Sequence, residues 1–146
     1  MNFIKIFFSL LLLNITLFAA NVDEYAKEMG FERDYETALA KSKESHKVLV
    51  MVLGADYCPW CRKFENKTLS SLLVKPRLDK EFVVLIVDKK FDIETFPTRY
   101  RTSFTPRVFM INPNDESTLL ESAGYVKKKK FMQSLDKAQK LYKASK

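Results

Sequence analysis

Two unbroken apolar runs, Val48 to Leu53 and Phe82 to Val87, carry the strongest hydrophobic signal in the chain. Each has strand length, β-branched content and no polar alternation, so each reads as a strand buried on both faces of a sheet. Between them, Cys61 to Leu69 has helical composition, and strand, helix and strand in that order imply a parallel βαβ unit. Arg107 to Ile111 and Leu119 to Ala123 read as two further strands. Asn112-Pro113-Asn114-Asp115 joins them as a hairpin-like turn by its residue types. Asp34 can cap a helix through Tyr35, Ala38, Leu39 and Lys43. Asn21 to Met29 reads as a shorter helix ending at Gly30, with Phe31 turning inward, and Ser70 to Lys80 as a short helical piece interrupted by Pro76. At the end of the chain Phe131, Leu135, Ala138 and Tyr142 recur at helical spacing beneath a lysine-rich face, which predicts an amphipathic helix. The sequence holds no internal repeat, low-complexity linker or second domain.

The first residues follow a different pattern. Lys5 precedes the apolar run Ile6 to Leu13, then Asn14 to Thr16 and the small pair Ala19-Ala20. Basic start, short apolar stretch and small residues are the plan of a secretory signal, with cleavage after Ala20. The run is broken by Ser9, Asn14 and Thr16 and is shorter than the roughly 20 residues of a spanning helix. Phe18 is a poor residue for the third position before that cut, and cutting after Ala19 would put Leu17 there, so an uncleaved anchor is the alternative. The expected organisation is a signal over residues 1–20 and one domain over residues 21–146, long enough for a single core. Export points to the periplasm.

Charge adds less. The formal net charge is +7, of which the leader supplies one lysine, and much of the excess lies in Lys127 to Lys130 and the lysines behind it. A nucleic-acid partner would call for basic residues interleaved with stacking aromatics or a groove-reading motif, and neither is present. The expectation is a solvated helix face, with weak association with an anionic membrane surface as the other option.

The chemistry is concentrated in Tyr57-Cys58-Pro59-Trp60-Cys61-Arg62, which contains both cysteines of the chain. The pair falls where a predicted strand hands over to a helix. Backbone N–H groups and partial positive charge at a helix start stabilise a thiolate, lowering the pKa from about 8.5 for a free thiol. Cys58 is then the attacking sulfur, and Cys61, one turn further on, the one that resolves a mixed disulfide. A structural staple is a poor use of such a short gap, because the stabilisation from a bridge grows with loop length. A closed zinc site would need more ligands than one cysteine pair and His46, the only histidine. A metal shared between two chains stays open. Arg62 stands where haem attachment would require histidine. His46 itself lies in a polar stretch and reads as a surface residue.

Strand, C-x-x-C at a helix start, strand, Thr-Pro before a third strand, hairpin and last helix resemble the thioredoxin superfamily over most of residues 31–142. More closely, Tyr35 to Lys41, Val48-Leu49-Val50, Ala55 to Glu65, Val87-Asp88 and Gly124-Tyr125 are similar to exported thioredoxin-like proteins. These include the C-terminal domain of the membrane thiol reductase and thioredoxins associated with sulfur oxidation. The resemblance implies an α/β thioredoxin fold, a central mixed sheet flanked by helices in a single domain. It also implies a cis-proline facing the cysteines, preceded by a residue that offers its backbone to an extended substrate. Pro106, followed by the apolar run Val108 to Ile111, fits that position with Thr105 before it. Pro97, followed by Thr98-Arg99-Tyr100-Arg101, does not.

Two departures from the family stand out. Cytosolic thioredoxins carry a buried aspartate where this chain has Val52, so a proton relay would fall to Glu65, at helical i to i+4 spacing from Cys61, or to Asp56. Glu65 could equally be an exposed helix residue. Pro59-Trp60 between the cysteines is locally close to glutaredoxin, but a helix precedes the first strand here and the glycine pair of glutathione-binding proteins is lacking. The resemblance therefore implies a periplasmic thiol-disulfide oxidoreductase that uses Cys58 and Cys61, reducing disulfides of exported proteins and requiring no cofactor. Thr105 and Pro106 would dock substrate, Tyr57 and Trp60 would form an apolar rim, and a membrane or periplasmic donor would supply electrons. The competing expectations are a disulfide oxidase or isomerase, and a binding or chaperone module whose disulfide is permanent.

Overall fold

The computed structural model describes residues 22–146, so the leader expected at 1–20 lies outside the described residues. Strands β1 (Val48–Gly54), β2 (Phe82–Asp88), β3 (Arg107–Ile111) and β4 (Thr118–Ala123) form one mixed sheet in the order β2-β1-β3-β4. β1 runs parallel to β2, with Val48 opposite Phe82, and antiparallel to β3, with Val50 opposite Met110. Every residue of β1 is buried, the behaviour expected of an apolar run without alternation.

Its side chains divide between two cores. Val48, Val50 and Val52 face helix α1 (Val22–Met29), helix α4 (Lys75–Glu81) and the last helix, α5 (Lys128–Ala144), through Ala26, Leu78, Phe131 and Leu135. Leu49, Met51 and Leu53 face helix α2 (Tyr35–Ser45) and a segment after β2 that supplies Phe96 and Tyr100. Asp34 caps α2, its Oδ1 accepting the Thr37 N–H at 2.8 Å. The helix ends on exposed His46 in the left-handed region. Gly30, at φ 67°, closes α1 in the conformation that costs glycine least, and turns Phe31 into the core. Glu32 then pairs with Leu85 in an isolated parallel bridge along the outer edge of β2.

Two sequence expectations change. Pro76 does not interrupt a helix but sits in the first turn of α4, where its missing N–H is an orphan in any case. The run from Cys61 to Leu69 is not one α-helix. Helix α3 covers Pro59–Phe64, and Glu65–Leu69 follows as one π-helical turn, widening the backbone so that Glu65, Thr68 and Leu69 are all buried. Between β2 and β3 the regular structure is a 3₁₀ turn, Thr98–Tyr100.

Candidate redox site

The loop leaving β1 is fastened by Asp88 at the end of β2. This carboxylate is 2% exposed, and its oxygens accept the N–H groups of Asp56 at 3.0 Å, Lys90 at 2.7 Å and Phe91 at 2.9 Å. A buried carboxylate needs such donors, and here they bind the two loops at this end of the sheet together. Lys89 N–H adds a bond to Gly54 C=O at 2.9 Å. Tyr57 then takes φ 55°, and its side chain is fully exposed.

Cys58 is the N-cap of α3. Its extended backbone leaves the side chain folded back over the helix start, where Sγ accepts the Cys61 N–H at 3.2 Å. Pro59 occupies the first helical turn, a position that needs no N–H. Cys58 and Cys61 form a disulfide with Cα atoms 5.2 Å apart. The sulfurs are inequivalent, since Cys61 is 1% exposed whereas Cys58 is half-buried at the mouth of the site. Thr105 and Pro106 arrive from the opposite side. Their peptide bond is cis, and Thr105 Oγ1 lies 3.5 Å from Cys58 Sγ as a hydrogen-bond donor.

Around the sulfurs Tyr57, Trp60 and Phe104 are all exposed apolar side chains. Trp60 is also backed from within the protein: its ring stacks on Tyr125 at 6.1 Å, and Lys63 Nζ lies 4.8 Å from the Trp60 ring and 4.9 Å from that of Tyr125. Phe104 and Tyr125 are not among the residues expected at the site from the sequence, whereas Lys63 reads there as a helix residue that adds positive potential near the sulfurs. The i to i+3 spacing of Trp60 and Lys63 was a usable signal, but nothing local indicates that Tyr125 would meet them.

Glu65 and Asp56 differ sharply. Glu65 is 3% exposed, and Arg62 Nη2 reaches its Oε1 at 2.9 Å. Burial pushes its carboxyl up to about 7, against the opposing pull of Arg62. That is the range of a group able to exchange protons near neutrality. Gly54, at the end of β1, faces this pair, and a Cβ there would meet Glu65 Oε1 at 3.9 Å and Arg62 Nη2 at 4.0 Å in ordinary van der Waals contact. Asp56 is an exposed loop residue tied to Asp88 through its backbone N–H. Among the described residues no cluster of His, Cys, Asp or Glu is placed to hold a metal ion.

A family model described as a thioredoxin-like domain matches residues 35–139. Comparison with curated protein sequences gives no match. Among solved structures, a thioredoxin from Thermus thermophilus superposes with a TM-score of 0.63 at 22% identity, over 73% of this chain and 84% of that one. An oxidoreductase named DsbH gives 0.62 at 21% identity, over 75% and 84% respectively. The oxidised C-terminal domain of DsbD from Neisseria meningitidis gives 0.58 at 22% identity, over 74% of this chain and 98% of that domain.

Proposed function

The chain belongs to the thioredoxin-like domain family, and from that premise we propose that it is an exported thiol-disulfide oxidoreductase that reduces disulfides in other exported proteins. The fold and the C-x-x-C pair are those of a thiol-disulfide oxidoreductase. The observation that carries the reading is the inequality of the two sulfurs. One stands at the mouth of the site as a helix cap, accepting one backbone N–H and one hydroxyl, while the other is sealed behind it.

In the reduced protein the Cys58 thiol gives up its proton to become a thiolate, stabilised by the Cys61 N–H, the helix start and the Thr105 hydroxyl. It attacks one sulfur of a substrate disulfide. A bond forms between Cys58 and that sulfur, the substrate S–S bond breaks, and the departing substrate thiolate takes up a proton. Cys61 then loses its proton, to Glu65 or to water, and attacks Cys58 Sγ. The Cys58–Cys61 bond closes, and the second substrate thiolate leaves and is protonated. Two electrons pass to the substrate, leaving the intramolecular disulfide that a dithiol donor must reduce for another cycle. Thr105 and Pro106 would hold the substrate backbone, with Tyr57, Trp60 and Phe104 covering its apolar neighbours. Export to the periplasm is supported by the leader pattern of residues 1–20, and cell fractionation with N-terminal sequencing tests it.

The deciding assay is reduction of insulin by dithiothreitol, with and without the protein, alongside trapping with Cys61→Ser. Faster precipitation and covalently trapped partners are expected. No acceleration and no trapped mixed disulfide would overturn the reading in favour of a binding module with a permanent disulfide.

A further inference from the structure

The lysine run Lys127 to Lys130 opens a helix whose start is tied to the active helix and the turn after it by three separate contacts of the flanking residues. Tyr125 stacks on Trp60, Val126 C=O accepts the Thr68 hydroxyl at 2.6 Å, and Phe131 meets Phe64 edge-on at 5.3 Å. All four lysines are exposed. Lys127 is the N-cap of α5 and makes no side-chain cap bond, and the first turn contains no acidic residue. Cations at this end oppose the helix dipole, so the placement works against helix stability.

Several arginines of the surface are neutralised by carboxylates, Arg33 by Asp23 and Asp92, Arg77 by Glu81 and Asp136, and Arg99 by Glu116. Lys127 to Lys130 have none among the described residues. Glu65 on the turn after the active helix and Glu121 on β4 are engaged by Arg62 and Arg107. With Lys63 over Trp60, the positive charge runs from the rim of the cysteine pair onto α5.

Resting on the redox reading above, we propose that this patch receives the acidic surface of a redox partner protein, whose exchanging cysteines are flanked by carboxylates. An oppositely charged face near the reacting sulfur steers encounter and fixes orientation, and its effect fades with salt. Continuity with the exposed aromatic rim favours a protein over a lipid surface, because Lys63 joins the charge to Trp60, the residue that stands between the two cysteines in the sequence.

The test uses disulfide-containing peptides flanked by aspartates, by lysines or by neutral residues. Both their reduction by the reduced protein and the binding of fluorescent copies to the oxidised protein are followed. The acid-flanked peptide is expected to react about tenfold faster than the lysine-flanked one at low ionic strength. That preference should shrink as the Debye length falls from roughly 30 Å at 0.01 M salt to about 3 Å at 1 M. Lys128→Gln/Lys129→Gln/Lys130→Gln should abolish the preference and leave the neutral peptide's rate unchanged, while Lys128→Glu/Lys129→Glu should reverse it. An equal rate for all peptides, or a preference that survives the triple substitution, overturns the proposal. So does lysine-dependent binding to phosphatidylglycerol vesicles without any peptide preference, which assigns the patch to a membrane. If no peptide is reduced, the redox reading fails, and the binding arm still decides whether the patch selects acidic peptides.

Discussion

Thr105 Oγ1 donates to Cys58 Sγ at 3.5 Å, joining the residue before Pro106 to the cap of the active helix across the mouth of the site. A hydroxyl aimed at sulfur stabilises it more as negative charge develops, so it favours the thiolate over the thiol. Thr105→Val keeps the shape and removes the donor. The Cys58 pKa is expected to rise by roughly half a unit to one unit, the equivalent of one modest hydrogen bond. Titration of thiolate absorbance in the reduced variant checks this, and an unchanged midpoint would remove Thr105 from the set of thiolate donors.

Burial separates the cysteines as reagents. Cys61 is 1% exposed, whereas Cys58 is half-buried and opens the helix. Iodoacetamide should therefore alkylate Cys58 first in the reduced protein, at a pH below the usual thiol pKa of about 8.5. Peptide mapping after brief labelling reads the site directly. Label found first on Cys61 would exchange the two roles.

Glu65 couples the site to stability. An unfolded glutamate loses its proton near 4.5, while the folded one holds it to about 7 because burial disfavours the charge more than Arg62 restores it. Between those values the native state binds more protons than the unfolded state, so stability falls as pH rises through this window and levels off above it. The loss is on the order of 2 to 3 kcal/mol. Glu65→Gln should flatten the dependence, as urea unfolding of the oxidised protein at pH of about 5 and about 7.5 would show. If Glu65 also takes the Cys61 proton, the same variant slows resolution of a mixed disulfide without slowing its formation.

Tyr125 holds Trp60 from behind, and Lys63 lies over both rings. A stacked aromatic pair contributes about 0.5–1.5 kcal/mol beyond burial. Tyr125→Ala should cost an amount of that order and shift Trp60 emission toward that of a solvated indole. Unshifted emission would mean that Trp60 does not depend on the stack for its place.

What was legible in the residues was what local physics determines. The apolar runs over Val48 to Leu53 and Phe82 to Val87 had the length and β-branching of two-faced strands, Asp34 announced a cap, and the strand-to-helix junction placed Cys58 at a helix start. What escaped depends on contacts distant in the chain or on small changes of backbone pitch. The π-helical turn at Glu65–Leu69 makes Glu65 a buried residue, and no spacing rule distinguishes it from a continued α-helix. Trp60 meets Tyr125 only because β4 and α5 bring the chain back. Pro76 reads as a breaker inside Ser70 to Lys80, and only the position of the helix start, which local residue types do not give, places it in the first turn of α4 where proline is tolerated.

The reducing direction proposed above is supported by what surrounds the sulfurs. A strongly oxidising pair requires a greatly stabilised thiolate, often helped by a histidine between the cysteines, and the periplasmic oxidases with that property carry a helical insertion between their thioredoxin strands. Here Trp60 holds the histidine position and supplies no charge. The segment from β2 to β3 contains a single 3₁₀ turn, Thr98–Tyr100, in place of such an insertion. Glu65 sits buried one helical turn beyond Cys61, and once ionised its charge opposes thiolate formation at the pair. Against these, the helix start, the Cys61 N–H and the Thr105 hydroxyl give the thiolate moderate support. The expected potential lies nearer the reducing thioredoxins, at about −270 mV, than the strong oxidase, at about −120 mV. Titration in glutathione buffers followed by Trp60 fluorescence measures it, since Trp60 lies between the two cysteines in the sequence. Glu65→Gln should move the potential upward by easing thiolate formation. A wild-type value close to that of the oxidase would reverse the direction, making the partner a dithiol to be oxidised.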